Sequence, residues 1–560
     1  MADLKNPLIV QSDRTILVEV DHPHYEDARG SLARFAELEK SPEHIHVYRL
    51  SPLSLWNAAS AGLNADEILL SLENLSKYEI PQNICREIKE FIDRYGQLRL
   101  RKLDNQLVLE SDEHALITEV SSLPSVKQYL IASLNKYQVR VGDRFRGHIK
   151  QALIKVGFPV EDLAGYVEGD PLKIQLRKTV GKNQIFNMRD YQEQAVDAFH
   201  MNGEPQGGNG VVVLPCGAGK TIVALGAMAV LKSHTLILTA NTVALRQWRE
   251  ELLQKTSLQE NQIGEYSGES KEIRPVTLAT YQILTYRKSR ADEFEHFGLF
   301  DEKGWGLIIY DELHLIPAPV FRYTAEIQAR RRLGLTATLV REDGLEEEVF
   351  SLIGPRRYDM PWKVLERQGW IAEAYCREIR VDLPETRRMP YAVANRREKF
   401  RIASENSQKT TIIKTLLEQH PKDQILIIGL YVKQLKQIAN LLEFPLITGK
   451  TPLDVRLELY RQFRNGELSR LVVSKVANFA IDLPDANVAI QISGTFGSRQ
   501  EEAQRLGRIL RPKADGSAAI FYSIVTRNTL DQDSAVNRQL YLTEQGYKYT
   551  IHDFSEILSG

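Results

Sequence analysis

A chain of 560 residues, 43% apolar and 26% charged, has the composition of an ordinary globular protein of roughly three or four domains, which excludes fibrous and disordered classes. Its formal net charge of −1 excludes a polycationic body, so nucleic acid would have to be held by local basic patches. Cys85, Cys216 and Cys376 lie too far apart for a CxxC pair or a zinc or iron–sulfur ligand run; with neither a signal-peptide pattern nor an apolar run near the ~20 residues of a membrane span, a reduced, cytoplasmic protein without membrane contact is expected.

In chain order, residues 1–120 open with the strand-like PLIVQSDRTILVEV. They continue through LSLWNAASAG, ADEILLSLENLSKY and PQNICREIKEFIDRYG, where apolar residues recur at helical spacing, so a small α+β domain is predicted. A second small α+β unit is predicted over 121–180, with SVKQYLIASL and RGHIKQALIKVG as its helices. Nothing in either stretch looks catalytic. From 181 to 380 the runs GVVVLP, TLILTA, VTLATY, GLIIYDE and RRLGLTAT alternate with helical patterns such as TIVALGAMAVLK and ALRQWREELLQ, which argues a parallel sheet with helices on both faces. A second series of the same kind fills 381–560, from QILIIGL through SRLVVSK and NVAIQIS to AAIFYSIV. The predicted fold is therefore α/β, two tandem parallel-sheet domains preceded by small α+β domains. Ligands of such sheets sit beyond the carboxyl ends of the strands, so a nucleotide is expected in a cleft between the two.

The strand GVVVLP leads through Leu214 and Pro215 into Cys216-Gly217-Ala218-Gly219-Lys220-Thr221 and then a helix, the context a phosphate-binding loop requires. Backbone N–H groups of the glycine turn and helix start can cradle phosphate oxygens, Lys220 can reach the β- and γ-phosphates of ATP, and Thr221 can coordinate Mg²⁺. Leu214 stands where the common pattern has its first glycine, a departure that fits a shorter form of the loop. The bland alternative is an ordinary strand–helix loop that happens to carry GAGKT. At the end of GLIIY, Asp311 and Glu312 emerge together from a buried strand, followed by Leu313 and His314. Asp311 can hold Mg²⁺ and Glu312 can orient and polarise the attacking water, the alternative being a solvated strand end or helix cap.

Arg189, Tyr191 and Gln192 begin an amphipathic helix just before the loop strand, and RQEEAQRLGRILRPK places Gln504, Arg508 and Arg511 on one helical face. Alone, that face reads as solvated and basic; beside a nucleotide, its arginines could stabilise transition-state charge, worth roughly 10³- to 10⁵-fold.

Taken in order, MRDYQEQAV, LPCGAGKT, DELH, LGLTATLVRED, SKVANFAIDLP and EEAQRLGRILR resemble the motifs of superfamily 2 helicases. DELHLIPAPVFR, SLIGPRRYDMPW and GSRQEEAQRLGRILR resemble the XPB (xeroderma pigmentosum group B) family in particular, over residues 181–530. The resemblance implies two RecA-like motor domains and an ATP- and Mg²⁺-dependent DNA helicase, tracking 3′ to 5′ in repair or transcription. It assigns Arg189 and Gln192 to the adenine side, and the residues from Leu214 to Thr221 to the phosphates and Mg²⁺. Asp311 and Glu312 it assigns to Mg²⁺ and water, and Gln504, Arg508 and Arg511 to the nucleotide from the second domain. Thr336, Ala337 and Thr338 would couple hydrolysis to strand movement, and Arg341-Glu342-Asp343 would part the duplex.

The family carries a thumb-like DNA grip where this chain has residues 385–409; Arg396, Arg397 and Arg401 make that segment basic, with Tyr391 and Phe400 interleaved as stacking platforms, although a solvated helix face reads equally well. By analogy 121–180 would be a damage-recognition-like domain. Ala477-Asn478 replaces the Gly-Asp of eukaryotic members, and the compact length points to a prokaryotic one. The expected partners are forked, single-stranded or damaged DNA and a nuclease or repair-complex protein. A duplex translocase serving a nuclease, and an ATP-switched scaffold, are the competing readings.

Overall fold

A computed structural model describes residues 5–42, 44–181, 184–215, 217–288, 294–328, 330–337, 346–370, 373–474, 486–494, 518–544, 547 and 549–554. Cys216, Thr338, Arg341, Glu342, Asp343, Ala477, Asn478, Gln504, Arg508 and Arg511 lie outside the described residues.

Near the N-terminus, Leu8–Val10 and Thr15–Glu19 pair antiparallel, and the three helix-like segments are helices at Pro52–Ser60, Ala65–Leu75 and Gln82–Arg94. Local chemistry sets where they begin. Ser51 Oγ accepts from Ser54 N (3.0 Å) ahead of Pro52, and Asn64 and Glu67 exchange side-chain and backbone bonds in a capping box.

A second sheet takes strands from both sides of the expected break at residue 120. Its order is Leu130–Asn135, Gln138–Val141, Gln106–Glu110, Leu98–Leu103, Val160–Asp162, with Leu116, Ile117, Val120, Ile149 and Leu153 in its core. The expected break at residue 120 therefore falls inside one sheet. SVKQYLIASL is not a helix: Pro124–Lys127 forms one short turn, and Leu130–Asn135 turns back as a hairpin. The physical reason is Asn135, whose Oδ1 accepts from Tyr137 N (2.8 Å) and so stabilises the reversal that a helix would need to run through. Residues 170–177 leave this sheet and lie along the next one, Asp170 N donating to Gly304 O (2.7 Å) and Leu172 N to Lys232 O (2.7 Å), so the expected unit 121–180 is not a separate body.

The first large sheet is parallel throughout, in the order Ile263–Tyr266, Val276–Thr280, Thr235–Thr239, Leu307–Asp311, Arg331–Thr336, Asn209–Val213, Arg356–Asp359. The second is also parallel: Leu446–Ile447, Arg470–Ser474, Ile425–Gly429, Val488–Gln491, Ala519–Thr526, Ala374–Val381, Tyr549–Asp553. Numbered along the chain among the described residues, both sheets read 3-4-2-5-6-1-7. Two RecA-like domains of one topology thus stand in tandem. The expected boundary at 380/381 falls inside the strand Ala374–Val381, which begins the second sheet and is placed by its pairing with Ala519–Thr526.

The segment 385–409 forms helices Glu385–Val393 and Arg396–Ser404, the second capped by Asn395. Arg396, Arg397 and Arg401 are exposed. Phe400 is fully buried and the Tyr391 hydroxyl accepts from Leu530 N (2.9 Å), so Phe400 is a core residue and not a stacking platform.

Candidate nucleotide site

Because the strands Asn209–Val213, Arg331–Thr336 and Leu307–Asp311 are parallel neighbours, their carboxyl ends open on one edge, with Val213 in register with Thr336 and Asp311 with Leu335. The loop, the paired acids and the threonine of the TAT segment arrive there together for that reason.

Gly217 and Gly219 have φ of +80° and +82°, values at which a side chain is strained. Nothing stands within 4 Å of where a Cβ on Gly217 would lie, so the turn leaves open space beside its backbone. A Cβ on Gly219 would collide with Gln192 Nε2. The helix Lys220–Leu231 starts immediately after, with Lys220 and Thr221 in its first turn.

Gln192 is buried and its Oε1 accepts from Arg189 N (3.0 Å), while Arg189 Nη1 donates to the Tyr191 hydroxyl (3.0 Å). The structure thus brings Gln192 against the loop, with Arg189 at the start of the same helix.

Lys220 Nζ stands 3.9 Å from Glu312 Oε1. Glu312 itself has φ +49°, a strained value for glutamate that turns the chain sharply after Asp311. His314, its ring buried, places Nδ1 3.5 Å from Glu312 Oε2 and 3.2 Å from Thr336 Oγ1, which joins the acid pair to the TAT segment; Ala337 beside it is buried.

Asp311 is held by two groups that the sequence reading did not single out. Trp248 Nε1 donates to Asp311 Oδ2 (2.8 Å) and the Tyr281 hydroxyl donates to its carbonyl (2.9 Å). In the sequence Trp248 lies in a helical pattern and Tyr281 ends an apolar strand run, and no motif marks either. Burial, with the charge of Glu312 beside it, pushes the Asp311 carboxyl up to about 6, while the indole bond and Lys220 pull the other way.

Such a carboxylate is short of positive charge. Two adjacent acids, one lysine, and a glycine turn with open space form a donor set suited to a triphosphate and a divalent cation, and the residues present fit that pair. Among the described residues no cluster of three or more His, Cys, Asp or Glu is placed to hold a metal.

Residues 365–557 match the family described as ERCC3/RAD25/XPB C-terminal helicase. Residues 185–341 match the res subunit of type III restriction enzymes, and residues 8–135 a helicase conserved C-terminal domain. The chain is 53% identical to the DNA 3'-5' helicase XPB of Mycobacterium tuberculosis, covering 99% of this chain and 98% of that one. It is 52% identical to the protein of the same name from Kineococcus radiotolerans, with the same coverage. A helicase/translocase subunit XPB of general transcription and DNA repair factor IIH, from Enterocytozoon bieneusi, is 30% identical over 98% of this chain and 93% of its own.

Proposed function

The chain belongs to the XPB family of superfamily 2 DNA helicases, in its prokaryotic branch, and from that premise we propose a DNA-dependent ATPase that unwinds DNA 3′ to 5′ in repair or transcription. The observation that carries the chemistry is the meeting of Lys220, Asp311, Glu312, His314 and Thr336 at one sheet edge.

Lys220 binds the β- and γ-phosphates as a point charge, and the N–H groups from Gly217 to Thr221 take phosphate oxygens. Mg²⁺, bound with the nucleotide, neutralises charge on the phosphates; Thr221 and Asp311 are the residues that would hold it. Glu312 orients the attacking water and draws its proton, its carboxylate kept in place by the turn at φ +49° and by Lys220. His314 and Thr336 pass the state of that carboxylate to the TAT segment.

On family grounds Gln504, Arg508 and Arg511 face the γ-phosphate, and Thr338 with Arg341, Glu342 and Asp343 engages DNA. The exposed Arg396, Arg397 and Arg401 grip its backbone. A nuclease or repair-complex protein is the partner we assign, and the cytoplasm the compartment. No described helix is long and apolar enough to cross a membrane.

Strand displacement on partial duplexes with a 3′ or a 5′ single-stranded tail tests the activity. ATP-dependent displacement of the 3′-tailed substrate alone is expected. Turnover without displacement of either would replace unwinding by duplex translocation, and displacement of the 5′-tailed substrate alone would reverse the polarity.

A further inference from the structure

The helix Thr242–Lys255 turns Leu245, Trp248 and Leu252 toward the core. Trp248 is 3% exposed, and for filling that space a phenylalanine would serve nearly as well. What the indole adds is one N–H. A buried indole usually finds a partner for it, and Trp305 finds one on Leu299 O (2.9 Å). Trp248 instead gives it to a carboxylate, Asp311 Oδ2 at 2.8 Å, a charge-assisted bond.

The other oxygen, Oδ1, takes the N–H of Glu312 (3.0 Å). Each oxygen therefore has a protein donor approaching from its own side, and rotating the carboxylate would break both bonds. Beneath it the Tyr281 hydroxyl holds the Asp311 carbonyl at 2.9 Å, just where the chain turns into the strained Glu312. Tyr281 follows the strand Val276–Thr280 directly, and the Trp248 helix begins just beyond Thr235–Thr239. Those strands lie next to one another and then to Leu307–Asp311 in the parallel sheet, so the register delivers both donors to the edge where Asp311 emerges.

We infer that Trp248 is a positioning residue of the nucleotide site, whose indole N–H fixes the Asp311 carboxylate in the orientation that serves the phosphate-bound cation, with Tyr281 fixing the backbone beneath it. The inference rests on the assignment of Asp311 to that cation. Groups that orient a metal-side carboxylate affect metal affinity without touching the metal, commonly by tenfold or more.

The test uses the full chain and the fluorescent nucleotide mant-ADP, titrated with Mg²⁺ from an EDTA baseline, in wild type, Trp248→Phe and Tyr281→Phe. Both variants keep the aromatic ring and lose only the donor. Both are expected to bind mant-ADP in EDTA as the wild type does. Trp248→Phe should need about tenfold more Mg²⁺ to reach half of the Mg²⁺-dependent signal, and Tyr281→Phe should shift in the same direction by less. A Mg²⁺ midpoint in Trp248→Phe equal to that of the wild type overturns the inference and leaves the site assignment standing. A wild type whose nucleotide binding ignores Mg²⁺ overturns the assignment and the inference together. Should circular dichroism show Trp248→Phe unfolded, the Tyr281→Phe midpoint decides, an unshifted value overturning the inference.

Discussion

Gly219 shows how little room the site leaves at the scale of one residue. Alanine there would sit at φ +82°, costing about 1–2 kcal/mol, and its Cβ would displace the buried Gln192 side chain. Gly219→Ala is therefore expected to lower nucleotide affinity by about tenfold, the equivalent of 1.4 kcal/mol, while leaving the far-ultraviolet circular dichroism unchanged. Fluorescent-nucleotide titration checks it, and wild-type affinity would show that the loop tolerates a side chain. Lys220, Asp311 and Glu312 were legible in the sequence because strand, glycine turn and helix follow one another without interruption, and because two acids at the end of an apolar run need a reason to be there. Trp248 and Tyr281 were not legible. Their hydrogen bonds depend on which strands become neighbours, and a tryptophan on the apolar face of ALRQWREELLQ looks the same whether its N–H meets a carbonyl or a carboxylate.

At the scale of elements, the joint between the small sheet and the first motor domain carries a buried ionic cluster. Asp162 accepts from Arg146 Nη2 (2.8 Å) and Lys150 Nζ (2.8 Å), and Lys150 Nζ also reaches Gln328 Oε1 (2.6 Å), whose amide holds Thr324 O and Leu352 O. Gly147 packs directly against the Ala325 carbonyl, where a side chain would collide. Burial pushes the Asp162 carboxyl up, but Arg146 and Lys150 outweigh it and hold the group below its ordinary value of 3.8; burial pushes Lys150 down to about 8. The carboxylate's stabilisation is thus fully present above pH 3.8 and is lost as pH falls below it.

Asp162→Asn leaves two buried cations without their acid, so a loss of roughly 3–5 kcal/mol at neutral pH is expected in urea unfolding, with less further loss on acidification than the wild type shows. A variant as stable as wild type would mean that the cluster is incidental to the joint. None of this was legible beforehand, and the expected boundary at residue 120 cut the small sheet in two. Helical periodicity locates elements but says nothing about pairing, and Leu98–Leu103 finds one partner beside it at Gln106–Glu110 and another at Val160–Asp162. Phe400 failed for a related reason: a phenylalanine among arginines looks like a platform until the helix Arg396–Ser404 is seen to turn it inward.

At the scale of the molecule, the two large sheets repeat one strand order, 3-4-2-5-6-1-7, and that repeat was legible as two series of apolar runs alternating with helices. Alternation predicts parallel strands, parallel strands share a carboxyl edge, and the shared edge is what brings Lys220, Asp311 and Thr336 together from widely separated points in the chain. The motor is thus encoded coarsely and early, and its fine positioning groups only in the folded state. In the function we propose, this edge hydrolyses ATP under the control of DNA. Phosphate release, measured for wild type, Lys220→Ala and Glu312→Gln without nucleic acid and with single-stranded DNA, duplex, forked DNA or RNA, tests it most directly. Wild-type turnover stimulated by DNA and not by RNA, absent in both variants although Glu312→Gln still binds nucleotide, is the predicted result. DNA-stimulated turnover that survives in Lys220→Ala, or wild-type turnover indifferent to DNA, would overturn that function.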